Sequence, residues 1–325
     1  MRVLTPHQIT GKSVLLRMDI DVPLKRTNGK MVITDDSRLR SGLPTLFLCL
    51  QYAERVVVMG HLGRPEGEDP DLSVAPVVEW FDKLIYDYEY PQDRFQVLEN
   101  LRFEKGEEDC DLEYAKKLAS LGNFYVNEAF AAAHKSSSTT VLPTLLPHAA
   151  GFHFDHEVHT LKQVRENPKR PLVAIIGGVK VEDKYQAVVA LSKIADAVLV
   201  GGLLARKIKE QNLEISPNVH LAELNESGFD ISPKSIEDFS NIIAQAKEVV
   251  WVGPLGKFED KESAHGTLKV AEAVIKSGAY TIIGGGDTVS ALSFYIDKFD
   301  YVSAGGGAML KLLCEGTLPT IQALG

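Results

Sequence analysis

The sequence predicts an α/β fold, twice over, with parallel sheets covered by helices on both faces. Three observations carry this. Strand-like and helix-like segments alternate along the whole chain, the pattern of βαβ units. In the second half, four glycine clusters each follow a short apolar run: Gly177-Gly178, Gly201-Gly202, Gly284-Gly285-Gly286 and Gly305-Gly306-Gly307. The chain has 325 residues, more than one ordinary core holds, which predicts two domains.

In the first half, residues 14–18, 55–59, 95–98 and 123–126 read as strands, and 42–52, 73–88 and 111–121 as helices. Pro76 is tolerated near the start of its helix, where its missing N–H is not needed. In the second half the strands are 172–176, 197–200, 219–222, 248–252, 280–283 and 301–304. The segment 232–246 reads as a helix with Ser232 as N-cap and Pro233 at its first position; Ile236, Phe239, Ile243 and Ala246 share a face. The segment 263–277 repeats the pattern with Leu268, Ala271 and Ile275. The join falls between Ala149 and Pro171, where a polar, helix-compatible stretch at 155–167 feeds a proline-bounded turn.

Composition narrows the function. Hydrophobic content of 45% and charged content of 24% fit a soluble globular protein, and the net charge of −9 argues against bulk nucleic-acid binding. Three scattered cysteines form no disulfide or zinc pattern, which points to a reducing cytoplasm. The N-terminus has no signal-peptide core, and no apolar run reaches membrane-spanning length. Gly11-Lys12-Ser13 and Gly253-Pro254-Leu255-Gly256-Lys257 both fail the P-loop pattern, and G-x-G-x-x-G is absent. His153, His156 and His159 miss the zincin spacing and read better as a solvated linker helix.

Glycine-lined strand ends suit phosphate, because backbone N–H groups approach it closely and a helix N-terminus favours an anion. Lys180 and Lys184 follow Gly177-Gly178 at a helix start, placed either to face a polyphosphate or to form a solvated lysine face. Asp287, after three glycines, is positioned to cap its helix or to hold Mg2+ against phosphate oxygens. In the first half Arg17, Arg38, His61, Arg64, Arg102, His134 and Lys135 lie at or beyond strand ends, the makings of an anion pocket in an acidic protein.

In order along nearly the whole chain, the motifs resemble phosphoglycerate kinase. They include the stretches at 16–24, 36–40, 60–65, 98–103 and 127–130, the lysine loop, Trp251-Val252-Gly253-Pro254 with its continuation to Glu259, the Asp287 loop, and 303–308. The resemblance implies two Rossmann-like three-layer α/β/α lobes joined by a hinge helix. The lobes would be residues 1–154, holding 3-phosphoglycerate, and 171–307, holding MgATP or MgADP, with the hinge at 155–170 and the tail 308–325 returning to the first lobe. It implies reversible phosphoryl transfer between 1,3-bisphosphoglycerate and ADP in a cytoplasmic monomer, with no nucleic-acid or membrane partner. By the same resemblance, Arg38, Lys180, Gly305 and Gly306 serve the transferring phosphoryl group. Asp19, Asp21, Arg38, His61, Arg64, Arg102 and Lys135 form the acid pocket. Gly178, Lys180, Lys184, Gly201, Gly202, Pro254, Glu259, Gly284, Gly285, Gly286, Asp287 and Thr288 serve the nucleotide, with Asp287 at the metal.

The sequence departs from the family pattern at several points. Asp21, Lys135, Ser137 and Val252 stand for asparagine, arginine, histidine and asparagine, and Leu203 interrupts a third glycine. Asp21 places a carboxylate beside a polyanionic ligand, which weakens binding unless a basic neighbour neutralises it. The chain is also shortened between Ile85 and Phe95 and between Asn218 and Ser232. Two other readings stay open at this point: a non-catalytic or regulatory homologue, and a kinase for another small carboxylic acid.

Overall fold

The computed structural model describes residues 1–87, 89–178 and 181–325, with side chains for all of these except 181–183. The chain divides into two compact units, Met1–His159 with Thr317–Gly325, and Thr160–Gly316.

The first unit is built on a parallel sheet of β1 (Ser13–Arg17), β4 (Arg55–Met59), β5 (Phe95–Val97), β6 (Phe124–Asn127) and β7 (His148–Ala150), in the order β5-β4-β1-β6-β7. Val14, Leu15 and Leu16 of β1 are fully buried, as both faces are covered. Strand order reverses between β1 and β6, which pair directly, so the loops after them diverge and leave a crevice at the carboxyl ends. The hairpin β2 (Leu24–Thr27) and β3 (Lys30–Ile33) stands outside this sheet. Its turn, Asn28-Gly29, has φ of 51° and 80° at the two central residues, the backbone an Asn-Gly hairpin turn requires.

The second unit carries β8 (Leu172–Ile176), β9 (Ala197–Val200), β10 (Val219–Leu221), β11 (Glu248–Val252), β12 (Tyr280–Gly284) and β13 (Tyr301–Ser303), all parallel, ordered β10-β9-β8-β11-β12-β13. Numbered within the unit this is 3-2-1-4-5-6, the doubly wound arrangement of dinucleotide-binding folds. Trp251, Ile175 and Leu199 pack with Ile243 and Val270 from the flanking helices. The helix Pro233–Ile243 is capped as its sequence directs: Ser232 Oγ accepts from Ser235 N, with Pro233 at the first position.

Two expectations change, and two elements are new. The helix expected at 155–167 runs from Phe152 to Glu166, and it is not a solvated linker: Phe154, Glu157, Val158, Leu161 and Val164 are buried. The segment returning to the first unit is Thr317–Gly325 rather than 308–325, because the helix Gly306–Glu315 packs on Val181–Leu191 in the second unit. Finally, the hairpin and β7 were not read from the sequence.

Candidate active site

The first unit brings several basic residues to the carboxyl ends of its strands. Arg17 ends β1 and is almost completely buried. Its Nη1 donates to Met18 O at 2.6 Å, its Nε to Ser138 Oγ at 3.0 Å and its Nη2 to His61 Nδ1 at 2.7 Å. Ser138 is held in turn by Glu107, which accepts from the serine hydroxyl at 2.5 Å and from its N–H at 3.0 Å. A guanidinium has no acceptor, so His61 Nδ1 is bare and the imidazole proton sits on Nε2. Burial, reinforced by Arg17 and Arg102, holds the His61 pKa far below the usual imidazole range. His61 is therefore a neutral donor, its ring 6.2 Å from that of His134.

Arg38, on the short helix Ser37–Ser41, faces two carboxylates: its Nη1 lies 3.4 Å from Asp19 Oδ1 and 3.5 Å from Asp21 Oδ2. Burial raises the Asp19 pKa, with Asp21 adding to the rise and Arg38 opposing it. Asp21 Oδ1 accepts from Gly63 N at 2.8 Å. Arg102 donates to Gly63 O at 2.5 Å and pairs with Glu108 at 3.1 Å. Asn100 fixes this corner, accepting from Leu62 N and Arg102 N and donating to Leu62 O and Leu72 O. Arg64 and Lys135 are exposed.

The second unit opens a cleft of about 740 Å³ lined by Lys184, Val252, Gly253, Gly285–Thr288 and Gly306-Gly307. One side of it is glycine backbone, and the other carries side chains of the helices Val181–Leu191 and Gly306–Glu315, among them Lys184, Ala187, Leu310 and Lys311. Close approach of loops explains two of the nearby glycines. A Cβ on Gly177 would sit 2.0 Å from Pro254 O, and one on Gly306 would sit 2.5 Å from Gly285 Cα. Lys184 Nζ donates to Gly177 O at 2.5 Å. Asp287 is exposed in the first turn of the helix Gly286–Ala291.

Of the other expected residues, Lys180 lies outside those described. The Thr288 hydroxyl is committed to protein, donating to Gly284 O at 2.8 Å and accepting from Gly253 N at 2.7 Å, so it ties two loops together. Gly201 and Gly202 are buried and do not line the cleft; Leu255 fills the space a Gly201 side chain would need. Pro254 is buried, and Glu259 is exposed outside the cleft lining.

The phosphoglycerate kinase family model matches residues 4–218 and 205–316. The chain belongs to this family. It is 34% identical to the phosphoglycerate kinase of Solibacter usitatus over 380 aligned residues, covering 97% of each chain. It is 33% identical to that of Dictyoglomus turgidum, covering 99% of this chain and 97% of the relative. The structure is similar to that of phosphoglycerate kinase from Coxiella burnetii, with a TM-score of 0.82 at 32% identity over 97% of this chain and 96% of the other.

Within this family the chain is short: 380 aligned positions exceed its own 325 residues, so relatives carry segments it lacks. Its departures from the family pattern differ in consequence. Ser137 is withdrawn from the basic pocket, its hydroxyl facing Gly106 O at 2.7 Å and Asp111 O at 3.0 Å. Val252 adds an apolar side chain to the cleft lining. Leu203 is half-buried beside Gly202 and is not among the residues lining the cleft. Glu107 and Ser138, which orient Arg17, had no signal in the sequence; only their burial beside a strand-end arginine marks them.

Proposed function

We propose that this chain catalyses reversible phosphoryl transfer between 1,3-bisphosphoglycerate and ADP, giving 3-phosphoglycerate and ATP. It is an ATP-dependent phosphotransferase with a carboxyl acceptor, as its family is. The observation that carries the reading is the pairing, in one chain of this family, of a cationic pocket in one unit with a cleft lined on one side by glycines in the other.

In the direction of acyl phosphate formation, a carboxylate oxygen of 3-phosphoglycerate attacks the γ-phosphorus of ATP. A new P–O bond forms, the bridging P–O bond breaks, and ADP leaves. The attacking carboxylate is ionised at neutral pH, so no general base is needed. His61, neutral and donating through Nε2, orients substrate and takes no proton. Arg38 neutralises charge on the transferring group, and Arg64, Arg102 and Lys135 hold the acid's phosphate with Asp19 orienting its hydroxyl. In the second unit Lys184 and the amides of Gly285 and Gly286 take nucleotide phosphates. The first amides of the helix Gly306–Glu315 face the phosphoryl in flight. Lys180 joins them by its place in the motif, and Glu259 serves the ribose.

An exposed carboxylate at the mouth of a phosphate cleft fits Mg2+, which binds through one protein oxygen with phosphate oxygens and water completing its shell. Asp287 would hold it, and bound there it would neutralise phosphate charge. The two ligands must meet for transfer, so closure about the helix Phe152–Glu166 belongs to this reading. So do a monomeric state and a cytoplasmic location. Among the described residues no helix is long and apolar enough to cross a membrane.

A coupled assay with ATP, Mg2+ and 3-phosphoglycerate tests the proposal. Turnover at millimolar substrate is expected. Binding of both ligands without turnover would mark a non-catalytic homologue, and turnover only with another small acid would move the substrate assignment.

A further inference from the structure

Asp21 lies where it can control the cation the reaction depends on. Arg38 Nη1 stands between Asp19 Oδ1 at 3.4 Å and Asp21 Oδ2 at 3.5 Å. The two carboxylates are also tied to each other, since Asp19 Oδ1 accepts from Asp21 N at 3.3 Å. Asp21 Oδ1 takes the N–H of Gly63 at 2.8 Å, which fixes the carboxylate against the loop that carries His61 and Arg64. Asp19 is 5% exposed, and its Oδ2 has no hydrogen-bond partner among the described residues.

Arg17 and Arg102 are the other charged groups acting on this pair, and both are committed elsewhere. Arg17 is spent on Met18, Ser138 and His61, and Arg102 on Gly63 and Glu108. Among the described residues, Arg38 is thus the cation in ion-pair contact with both carboxylates. A single guanidinium serves two anions before any substrate arrives. An incoming carboxylate or phosphate must win donors from them.

We infer that Asp21 is a positioning residue acting through Arg38: together with Asp19 it forms a latch on the guanidinium that the acid substrate displaces. The inference rests on the proposed function. Its consequence is a site that binds 3-phosphoglycerate weakly in the ground state while keeping Arg38 ordered for the transition state. Weak ground-state binding with an ordered catalytic cation raises turnover relative to affinity.

The experiment is a double-mutant cycle on the full chain with Asp21→Asn, Arg38→Met and the pair. The dissociation constant of 3-phosphoglycerate is measured by calorimetry, and kcat by the coupled assay. Asparagine keeps the Oδ1 acceptor for Gly63 N–H, so the loop keeps its anchor. In the wild-type background Asp21→Asn should tighten 3-phosphoglycerate about tenfold, the scale for releasing the Arg38 guanidinium from one partly screened ion pair. It should also lower kcat. In the Arg38→Met background the same substitution should change affinity less than twofold. Equal tightening in both backgrounds would mean that Asp21 simply repels the ligand, and would overturn the latch. So would unchanged affinity in an enzyme that still turns over, with the proposed function left standing. Failure of both wild type and Asp21→Asn to bind or convert 3-phosphoglycerate would remove the proposed function, and the latch with it.

Discussion

His61 shows how far one side chain's role depends on what it is bonded to. An imidazole among cations invites a proton-transfer role, yet Arg17 occupies Nδ1 as a donor, and burial excludes the charged form. The folded pKa is depressed, so the stability His61 contributes is present above its unfolded value near 6.5 and is lost as pH falls below it. The His61 ring resonances should therefore stay at their neutral positions from pH 8 to 5.5 in a nuclear magnetic resonance titration. A midpoint near 6.5 would contradict the buried Arg17 contact. Lys180 makes a different demand. If it steadies the phosphoryl group in transit, Lys180→Ala should lower kcat about 100-fold or more while weakening nucleotide binding less than about tenfold. Equal losses in both would assign Lys180 to ground-state binding.

At the scale of elements, Glu128 joins three of them. It follows β6, and its carboxylate accepts from His153 N at 3.1 Å and Phe154 N at 3.2 Å at the start of the helix Phe152–Glu166, beside Thr45 of the helix Leu43–Tyr52. Burial pushes its pKa up to about 8, although these hydrogen bonds favour the ionised form. A raised carboxyl pKa means the folded state holds a proton the unfolded state has released. Stability from this site is therefore full below about pH 4.5 and is lost as pH rises towards 8. Denaturant unfolding should show wild type losing on the order of 3 kcal/mol relative to Glu128→Gln between pH 5 and pH 9. Parallel pH profiles for the two proteins would place the titration elsewhere. Elements of this kind were only partly legible in the sequence. The long strands and the glycine clusters were, since apolar runs ending in glycine follow from backbone crowding at Gly177 and Gly306. The hairpin is hard to read although Asn28-Gly29 announces it, because Leu24–Thr27 is polar and mostly exposed and the four residues Lys30–Ile33 do not alternate apolar with polar. The three-residue β7 is too short to show a period. The helix Phe152–Glu166 was placed but misjudged, since its buried Glu157 reads as a surface charge. Strand-end position marks Arg17 and His61, whereas Arg38 sits on the short helix Ser37–Ser41, after a hairpin the sequence reading lacks. Nothing in the order of residues reveals that Leu255 fills the space at Gly201, or that Asp21 shares Arg38 with Asp19.

The whole molecule is two cores on one chain that passes between them twice, near His159 and at Gly316. The second passage delivers Thr317–Gly325 to the first unit, where Leu318, Thr320 and Leu324 are buried. The helix Pro319–Leu324 packs on β7 and on the π-helical turn Ser137–Val141. That turn carries Ser138, whose hydroxyl holds Arg17, which holds His61. The last residues of the chain are thus three contacts from His61, while every residue lining the cleft belongs to the other unit. Deleting Thr317–Gly325 should therefore separate the two functions. Exposing the surface that Leu318, Ile321 and Leu324 cover should destabilise the first unit by about 4–6 kcal/mol. Denaturant unfolding should then split into two transitions. Affinity for 3-phosphoglycerate should fall at least tenfold as the Ser138–Arg17–His61 chain loosens, and calorimetry should find nucleotide binding within about twofold of the full chain. A truncated protein that loses nucleotide binding in step with acid binding would show that the two cores do not fold independently. One that keeps both affinities would show that the Ser137–Val141 turn holds Arg17 without the helix beneath it.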